Sequence, residues 1–164
     1  MRPSRDEWAI KLALLTAQRA TCRRRQVGCV LLNARGHVLA TGYNGVAAGL
    51  PHCNEPTDDV YDDGKNTFPI SVYHHSCDGA MAPSGQSLDA CQAIHAEQNA
   101  MLQCRDVYSI HTAYVTASPC MTCIKLLLNT SCERIVFVEE YPHVEARRLW
   151  EGAGRLWEQL LVEL

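Results

Sequence analysis

The sequence predicts an α/β fold in which helices are layered on a β-sheet. A length of 164 residues fits one domain with a substantial core. The chain opens with the pattern of an amphipathic helix followed by a β-hairpin, and its second half alternates strand and helix patterns. Together these observations predict a single domain over residues 1–164.

The opening helix is predicted over residues 4–20. Ser4 and Glu7 form a capping box at its start. Apolar side chains recur at helical spacing and predict a buried stripe; its members are Trp8, Ala9, Leu12, Ala13, Leu15 and Thr16. Strands are expected over 27–32 and 37–41, joined by a short run of turn residues. Helix and hairpin therefore form the first part of the fold.

The second half continues the α/β pattern. Helices are predicted over 95–103, 119–129 and 143–152, strands over 112–116 and 134–139, and a short terminal strand or helix over 156–161. The stretch that precedes this half is rich in Gly, Pro, Asp, Asn and Ser, and it is too long for an ordinary loop. Because it contains cysteines, we expect a metal to staple this insert, which covers about residues 45–91.

The composition of the chain disfavours several classes of protein. The chain has 15 Lys and Arg against 18 Asp and Glu, a formal net charge of −3, which disfavours a dedicated nucleic-acid binder. Its apolar runs are far shorter than the roughly 20 residues of a membrane helix, and its N-terminus lacks the apolar centre of a signal peptide. We therefore expect a soluble cytoplasmic protein. Nine cysteines, an odd number, indicate metal or thiol chemistry rather than disulfides.

Two helix starts carry candidate metal ligands. Cys120 and Cys123 are three residues apart, so on a helix both thiolates face one metal ion. With Ser118 predicted as N-cap and Pro119 as the first helical residue, both cysteines fall in the first turn, where the helix dipole favours thiolates. His95 adds a third ligand. A Cys2His set leaves one tetrahedral position open, which is typical of a catalytic zinc.

Glu97 is the candidate proton carrier. It follows His95 by two residues, about 200° around a helix, so the two side chains do not point at one ion. A carboxylate beside a zinc-activated water can take up and deliver protons. The combined H-x-E and P-C-x-x-C pattern is the signature of zinc-dependent nucleobase deaminases. An isolated C-x-x-C is as often a structural zinc or redox site, so this interpretation depends on both motifs.

Five ordered motifs extend this pattern along most of the chain. They are Thr-Cys-Arg-Arg-Arg-Gln-Val-Gly over 21–28, Thr-Gly-Tyr-Asn-Gly over 41–45, Gly-Leu-Pro-His-Cys over 49–53, Cys-Gln-Ala-Ile-His-Ala-Glu-Gln-Asn-Ala over 91–100 and Ser-Pro-Cys-Met-Thr-Cys over 118–123. In this order they resemble the deoxycytidylate deaminase family. The resemblance implies a three-layer cytidine-deaminase-like fold with a five-stranded mixed sheet. It also implies hydrolysis of dCMP to dUMP, which supplies thymidylate synthesis.

The resemblance assigns roles to individual residues. It implies His95, Cys120 and Cys123 as ligands of a catalytic zinc, with Glu97 as acid and base. The expected substrate contacts are Arg24, Arg25, Asn44, Ala96 and Ser118. A second, structural zinc is expected at Cys22, Cys53, Cys77 and Cys91, with His75 or His74 as a substitute for one thiolate. The core thiols are expected to be Cys29, Cys104 and Cys132.

Three of these expectations have a second interpretation. The four cysteines of the insert and its borders either bind a structural zinc or are small buried thiols. Arg23, Arg24 and Arg25 form either a solvated basic turn or a site where one guanidinium binds a nucleotide 5′-phosphate through two hydrogen bonds. Asn44 serves either a tight turn or a hydrogen bond to the nucleotide. The sequence alone leaves all three pairs of interpretations open.

The resemblance further implies regulation and assembly. It predicts a homo-oligomer, often a hexamer, that dCTP activates and dTTP inhibits at a separate site able to use Mg²⁺. Whether dCTP is also a substrate stays open. Two other functions are weighed against dCMP deamination: a deaminase of tRNA or single-stranded nucleic acid, which would need a basic groove, and a nonenzymatic zinc-binding module.

Overall fold

The chain begins with a helix and a pair of strands, and its second half alternates helices and strands, as the sequence predicts. A computed structural model describes residues 1–53, 60–62, 64–65, 67–69, 77–83, 85–87 and 90–162. The helices are α1 (Arg5–Ala17), α2 (Ala96–Gln103), α3 (Met121–Leu128) and α4 (Val144–Gly152). The strands are β1 (Gly28–Leu32), β2 (Val38–Tyr43), β3 (Val60–Asp62), β4 (Thr67–Pro69), β5 (Thr112–Ala117), β6 (Arg134–Glu139) and β7 (Leu156–Gln159). The terminal element, left open between strand and helix, is the strand β7.

Five strands form a mixed sheet in the order β2-β1-β5-β6-β7. Strand β1 is antiparallel to both β2 and β5, whereas β5, β6 and β7 run parallel. The amino end of β1 therefore meets the carboxyl end of β5, where the Gly28 N–H donates to Thr116 Oγ1 at 3.1 Å. Ligands of open α/β sheets bind beyond the carboxyl ends of the strands. A site is thus expected at this edge.

The helices cover both faces of the sheet. On one face, buried side chains of α1 pack against the sheet; this cluster includes Ala9, Ile10, Ala13, Val30, Tyr114 and Val136. On the other face, α2, α3 and α4 share a larger core that includes Ala100, Ile124, Leu127, Phe137, Ala146 and Trp150. The predicted three-layer α/β/α architecture with a five-stranded mixed sheet is confirmed.

The predicted buried stripe of α1 is partly wrong. Trp8 is 42% exposed and Leu15 is 60% exposed, whereas the buried residues of the helix are Ala9, Ile10, Ala13 and Ala17. The helix packs very close to β1, because a Cβ added at Gly28 would lie only 2.0 Å from the Ala13 carbonyl oxygen. Mostly small side chains fit such a contact, so the larger ones remain outside.

The insert between β2 and α2 is described in part. Strands β3 and β4 pair as a separate antiparallel hairpin that the sequence did not predict. A 3-10 turn follows at Asp78–Met81. His74 and His75, the predicted substitute ligands, lie outside the described residues. The division into a single domain with a metal-stapled insert stays a prediction. Within the described ranges, every helix is too short or too polar to cross a membrane.

Candidate active site

The start of α2 is fixed against the sheet. His95 is the N-cap residue of α2, and its N–H donates to Gln98 Oε1 at 2.8 Å. The Asn99 side-chain amide donates to a carbonyl oxygen of β2 at 2.7 Å. The absence of a side chain at Gly42 permits this close approach, because a Cβ there would lie 2.3 Å from the Ala96 carbonyl oxygen. The first turn of α2 therefore has a defined position at the sheet edge.

The start of α3 differs from the prediction. The N-cap is Cys120 rather than Ser118, and Cys123 lies in the first turn. The Ser118 hydroxyl is engaged elsewhere, since its Oγ accepts the Tyr141 N–H at 2.6 Å. The Ser118 N–H donates to the Glu139 carbonyl oxygen at 2.8 Å. Ser118 thus joins the segment before α3 to the segment after β6, and the predicted capping role is wrong.

These two helix starts bring three metal-ligand side chains together. His95 Nδ1 lies 3.4 Å from Cys120 Sγ and 3.5 Å from Cys123 Sγ. Among the described residues, these three form the one group of possible ligands whose atoms all lie within 4.8 Å of one another. An imidazole and two thiolates suit zinc and leave one tetrahedral position for water or substrate. The donor set therefore fits a zinc ion.

The ligand side chains influence one another's protonation. A hydrogen bond from Cys123 lowers the pKa of Cys120 to about 3, with a further contribution from His95. The same hydrogen bond, together with burial, raises the pKa of Cys123. The hydrogen bond to Cys120 raises the pKa of His95. A metal ion that binds both sulfurs and the imidazole must therefore displace protons.

Glu97 is buried beside the ligand group. Glu97 is only 4% exposed, and it lines the same cavity as His95 and Cys120. Burial raises the pKa of Glu97 to about 7, against the opposing charge of His95. A carboxyl group with a pKa near neutrality can both accept and donate a proton under ordinary conditions. This environment suits the proton carrier that the sequence predicts.

All five predicted substrate-contact residues line this cavity: Arg24, Arg25, Asn44, Ala96 and Ser118. Two of these residues also form hydrogen bonds with the surrounding backbone. Arg24 Nη1 donates to the carbonyl oxygens of Gly79 at 3.1 Å and Gln86 at 2.8 Å. Asn44 Nδ2 donates to the Arg25 carbonyl oxygen at 2.7 Å, and Asn44 Oδ1 accepts the Val27 N–H at 2.7 Å. The amide of Asn44 therefore fixes the backbone that carries Arg25.

The four cysteines predicted for a structural zinc are neighbours. Cys53 and Cys77 are buried and pack with Cys91. Against the effect of burial, hydrogen bonds from the backbone at Gln92 and Gly79, and then the Cys53 and Cys91 side chains, lower the pKa of Cys77. Burial, followed by the charges of Cys22 and Cys77, raises the pKa of Cys91. The four sulfurs do not reach the close spacing of the first ligand group.

The remaining cysteines were interpreted as core thiols. Cys29 and Cys132 are fully buried in the larger core, as expected. Cys104 is only partly buried; it packs against the same core, and its Sγ donates to the Asp106 carbonyl oxygen at 3.3 Å.

Two residues at the cavity were missed by sequence reasoning. Tyr141 lines the cavity, and Glu139 pairs with Arg25 beside it. Glu139 is the last residue of the apolar strand β6, and Tyr141 follows it by two residues. A polar run directly after a buried strand, at the edge where ligands bind, is the signal that could have indicated them.

Comparisons with known proteins agree with this site. The family described as the cytidine and deoxycytidylate deaminase zinc-binding region matches residues 3–139. The deoxycytidylate deaminase of Saccharomyces cerevisiae is 33% identical over 157 residues, which cover 94% of this chain and 44% of the yeast protein. That of Mycobacterium phage D29 is 34% identical over 140 residues, 85% of this chain and 98% of the phage protein. The chain therefore spans less than half of the yeast relative.

A solved structure shares the fold. The dCMP deaminase of cyanophage S-TIM5, in complex with dCMP and dUMP, aligns with a TM-score of 0.66 at 22% identity over 96% of this chain and 98% of that one. The family match runs from α1 through β6 and includes the three candidate ligands and Glu97. The chain belongs to the cytidine and deoxycytidylate deaminase family.

Proposed function

We propose that this protein hydrolyses the exocyclic C–N bond of dCMP and releases dUMP and ammonia, as a hydrolase of a cyclic amidine. One observation carries the proposal: the cavity beside the His95, Cys120 and Cys123 group also contains the buried Glu97 and the guanidinium-bearing Arg25. The relatives in Saccharomyces cerevisiae and phage D29 bear the name deoxycytidylate deaminase. The S-TIM5 enzyme was crystallised with dCMP and dUMP.

The proposed reaction needs a nucleophile and a proton carrier. Zinc held by the three ligand side chains would supply an activated water at neutral pH. Glu97 takes a proton from the attacking water and delivers it to N3 of the cytosine ring. Glu97 then takes the remaining proton from the hydroxyl group added at C4 and delivers it to the amino group as the C4–N bond breaks, which leaves the C4 carbonyl of dUMP. One water and dCMP are consumed, and dUMP and ammonia are formed.

Recognition of the phosphate is assigned to the arginines of the cavity. A guanidinium binds phosphate oxygens through two parallel hydrogen bonds, and a nucleoside would not use this contact. Arg25 lines the cavity with a side chain that is 25% exposed, so it can reach a ligand at the opening. Arg24 lines the same cavity, and its Nη1 donates to two carbonyl oxygens of the insert.

A substrate panel tests the proposed function. Ammonia release is measured with dCMP, CMP, deoxycytidine and dCTP, with and without dTTP, and with single-stranded RNA and DNA oligonucleotides. We expect dCMP to be the best substrate and the oligonucleotides to release no ammonia. Ammonia release from an oligonucleotide but not from dCMP would favour the nucleic-acid deaminase. The absence of ammonia from every substrate by zinc-loaded protein would favour the binding module.

A second, structural zinc is part of the proposal. The packing of Cys53, Cys77 and Cys91 against one another, and the electrostatic effect of Cys22 on Cys91, support it. Because these side chains come from separate segments of the chain, an ion that they held in common would join the insert to the rest of the fold. We expect about two zinc ions per chain, and one fewer in Cys53→Ser, with a matching decrease in the free energy of unfolding. One zinc ion in the unmodified protein would contradict this site.

The resemblance supports three further elements of the proposal. The first is assembly into a homo-oligomer, often a hexamer. The second is a cytoplasmic location. The third is regulation by dCTP as activator and dTTP as inhibitor, with Mg²⁺. Light scattering of the purified protein measures the first. Initial rates over a range of dCMP concentrations, with each triphosphate and Mg²⁺, measure the third. Unchanged rate curves would contradict the regulation and leave the reaction itself intact.

A further inference from the structure

Arg25 enters the cavity from a corner built at the end of β6. Its Nη2 pairs with Glu139 Oε2, and its guanidinium carbon lies 5.5 Å from the centre of the Tyr141 ring. The side chain of Arg25 is 25% exposed and that of Glu139 is 70% exposed. The carboxylate therefore holds one end of the guanidinium, while the aromatic ring supports its face.

The carboxylate approaches the guanidinium from outside the cavity. Arg25 and Tyr141 both line the cavity, but Glu139 is absent from its lining in the part of the chain that the structure describes. The guanidinium is thus flanked by Glu139 on the outer side and by the cavity on the inner side. Since a guanidinium presents donors along more than one edge, a partner on the outer side fixes the direction of the inner edge.

The parts on both sides of this contact are anchored through the backbone. The Glu139 carbonyl oxygen accepts the Ser118 N–H at 2.8 Å, and the Tyr141 N–H donates to Ser118 Oγ at 2.6 Å. The Arg25 carbonyl oxygen accepts a hydrogen bond from Asn44 Nδ2 at 2.7 Å. The long side chain of Arg25 can adopt several conformations between these anchored segments. Its contact with Glu139 limits which of them it adopts.

Two effects of Glu139 on a bound phosphate oppose each other. Its negative charge repels the phosphate, but water screens a side chain that is 70% exposed, so this repulsion is weak. Its direct contact orients the Arg25 guanidinium. A guanidinium binds a phosphate through two parallel hydrogen bonds only when its N–H groups point toward the phosphate oxygens. The orienting effect is therefore expected to outweigh the repulsion.

We propose that Glu139 is a positioning residue that directs Arg25 toward the 5′-phosphate and so makes the cavity selective for a nucleoside monophosphate over the nucleoside. This inference rests on the proposed function at the same cavity. It assigns to an exposed carboxylate outside the cavity a part in substrate choice.

Binding of the product and its phosphate-free form tests this role without turnover. The dissociation constants of dUMP and deoxyuridine are measured by calorimetry for the unmodified protein and for Glu139→Gln. We expect the constant for dUMP to rise about two- to fivefold, the range of an exposed ion pair, and that for deoxyuridine to stay unchanged. In steady-state assays with dCMP, KM should rise with kcat unchanged.

The matched control is Glu140→Gln. This neighbouring residue is also exposed, and it contacts Arg147 at 3.9 Å rather than Arg25. The Glu140→Gln substitution removes the same charge from the same chain segment but leaves the contact with Arg25 intact. We therefore expect no rise in the dissociation constant of dUMP. Arg25→Ala provides a second control: adding Glu139→Gln to it should change nothing further, because the carboxylate acts through Arg25.

Three results would overturn the inference. They are a lower or unchanged dUMP constant in Glu139→Gln, an equal rise for dUMP and deoxyuridine, and an equal effect of Glu140→Gln. The proposed function fails separately. If the unmodified, zinc-loaded protein releases no ammonia from dCMP while Glu139→Gln still weakens dUMP binding selectively, the inference stands and the reaction is wrong.

Discussion

Two polar clusters lie toward opposite ends of β5 and β6 and differ in how their charges are matched. The metal end, beyond the carboxyl ends of these strands, consists of His95, Glu97, Cys120 and Cys123. The paired end, toward their amino ends, consists of Asp6, Tyr114, Arg134 and Glu158. The paired end joins α1 to the sheet, whereas the metal end joins the starts of α2 and α3, and the ionisable groups of the two clusters behave in opposite ways.

At the paired end, opposite charges meet directly. Arg134 Nη1 and Nη2 each donate to an Asp6 oxygen at 2.8 Å, and the Tyr114 hydroxyl donates to Asp6 at 2.6 Å. Arg134 also pairs with Glu158. The hydrogen bonds from Arg134 lower the pKa of Asp6, so its carboxylate stays charged and binds α1 to the sheet.

At the metal end, the pKa of the carboxyl group is raised rather than lowered. Burial raises the pKa of Glu97 to about 7. Strong desolvation of an ionisable group in a cavity is typical of functional sites, whereas a well-matched ion pair is typical of structural ones. The comparison indicates that substitutions at the metal end should affect turnover and those at the paired end should affect stability.

The largest expected effect is on turnover at the metal end. Glu97→Gln removes the proton carrier and retains the shape of the side chain, so kcat for dCMP should fall about 100- to 10,000-fold. Zinc content and the free energy of unfolding should not fall, because the ligands are unchanged and a buried ionisable group is replaced by a neutral one. Ammonia release and metal analysis on one preparation measure both. Near-normal turnover by the zinc-loaded variant would contradict this role.

The next effect concerns the phosphate side of the same cavity. Arg25→Ala should raise KM for dCMP about 10- to 100-fold, the value of a hydrogen bond to a charged group, and leave deoxycytidine kinetics unchanged. Arg23→Ala is the control, since it removes the same charge from an exposed position in the same run. Equal changes for dCMP and deoxycytidine would argue against a phosphate contact.

At the paired end, a stability effect with little change in kcat is expected. Asp6→Asn should lower the free energy of unfolding near pH 7 by about 1–2 kcal/mol, after allowance for partial exposure. Because the folded protein lowers the pKa of Asp6 from its ordinary 3.8, the ion pair stabilises the fold above that value and loses its effect as the pH falls through the lowered pKa.

Urea unfolding at several pH values checks this prediction. The difference between Asp6→Asn and the unmodified protein should be full at pH 7 and should shrink as the pH falls below about 4. A difference that is the same across this range would show that the ionised pair is not its source.

The smallest effect is expected at an exposed pair. Glu145 and Arg148 lie one turn apart on α4 at 2.9 Å, with side chains 70% and 72% exposed. Glu145→Gln should change the free energy of unfolding by less than about 0.5 kcal/mol, because water screens the pair. The same urea measurements serve as the comparison for Asp6. A loss as large as that of Asp6→Asn would show that the partly buried pair stabilises the fold no more than the exposed one does.

The parts of the fold and site that could be predicted are those encoded by neighbouring residues. Ser4 and Glu7 form the capping box that starts α1, with hydrogen bonds of 2.7 and 3.2 Å. Helix and strand spacing likewise indicated β6 and the helices that carry His95 and Cys123. In each case the determining contacts span only a few residues, so a local pattern contains the information.

The parts that could not be predicted depend on distant contacts. Arg25 meets Glu139 across 114 residues, and Ser118 meets Tyr141 across 23. The second contact occupies the Ser118 hydroxyl, which a local capping pattern assigns to α3 instead. The exposed position of Trp8 also depends on tertiary structure, since the close approach of α1 to β1 decides which face of the helix is buried.

The proposed deamination of dCMP depends on a metal held by His95, Cys120 and Cys123. The most direct measurement strips the protein with a chelator and follows ammonia release from dCMP as zinc is added back in known amounts. We predict that the stripped protein is inactive and that the rate rises with bound zinc to a plateau, whereas added Mg²⁺ alone restores nothing. A full rate in protein verified to contain no zinc would show that the metal has no part in the reaction.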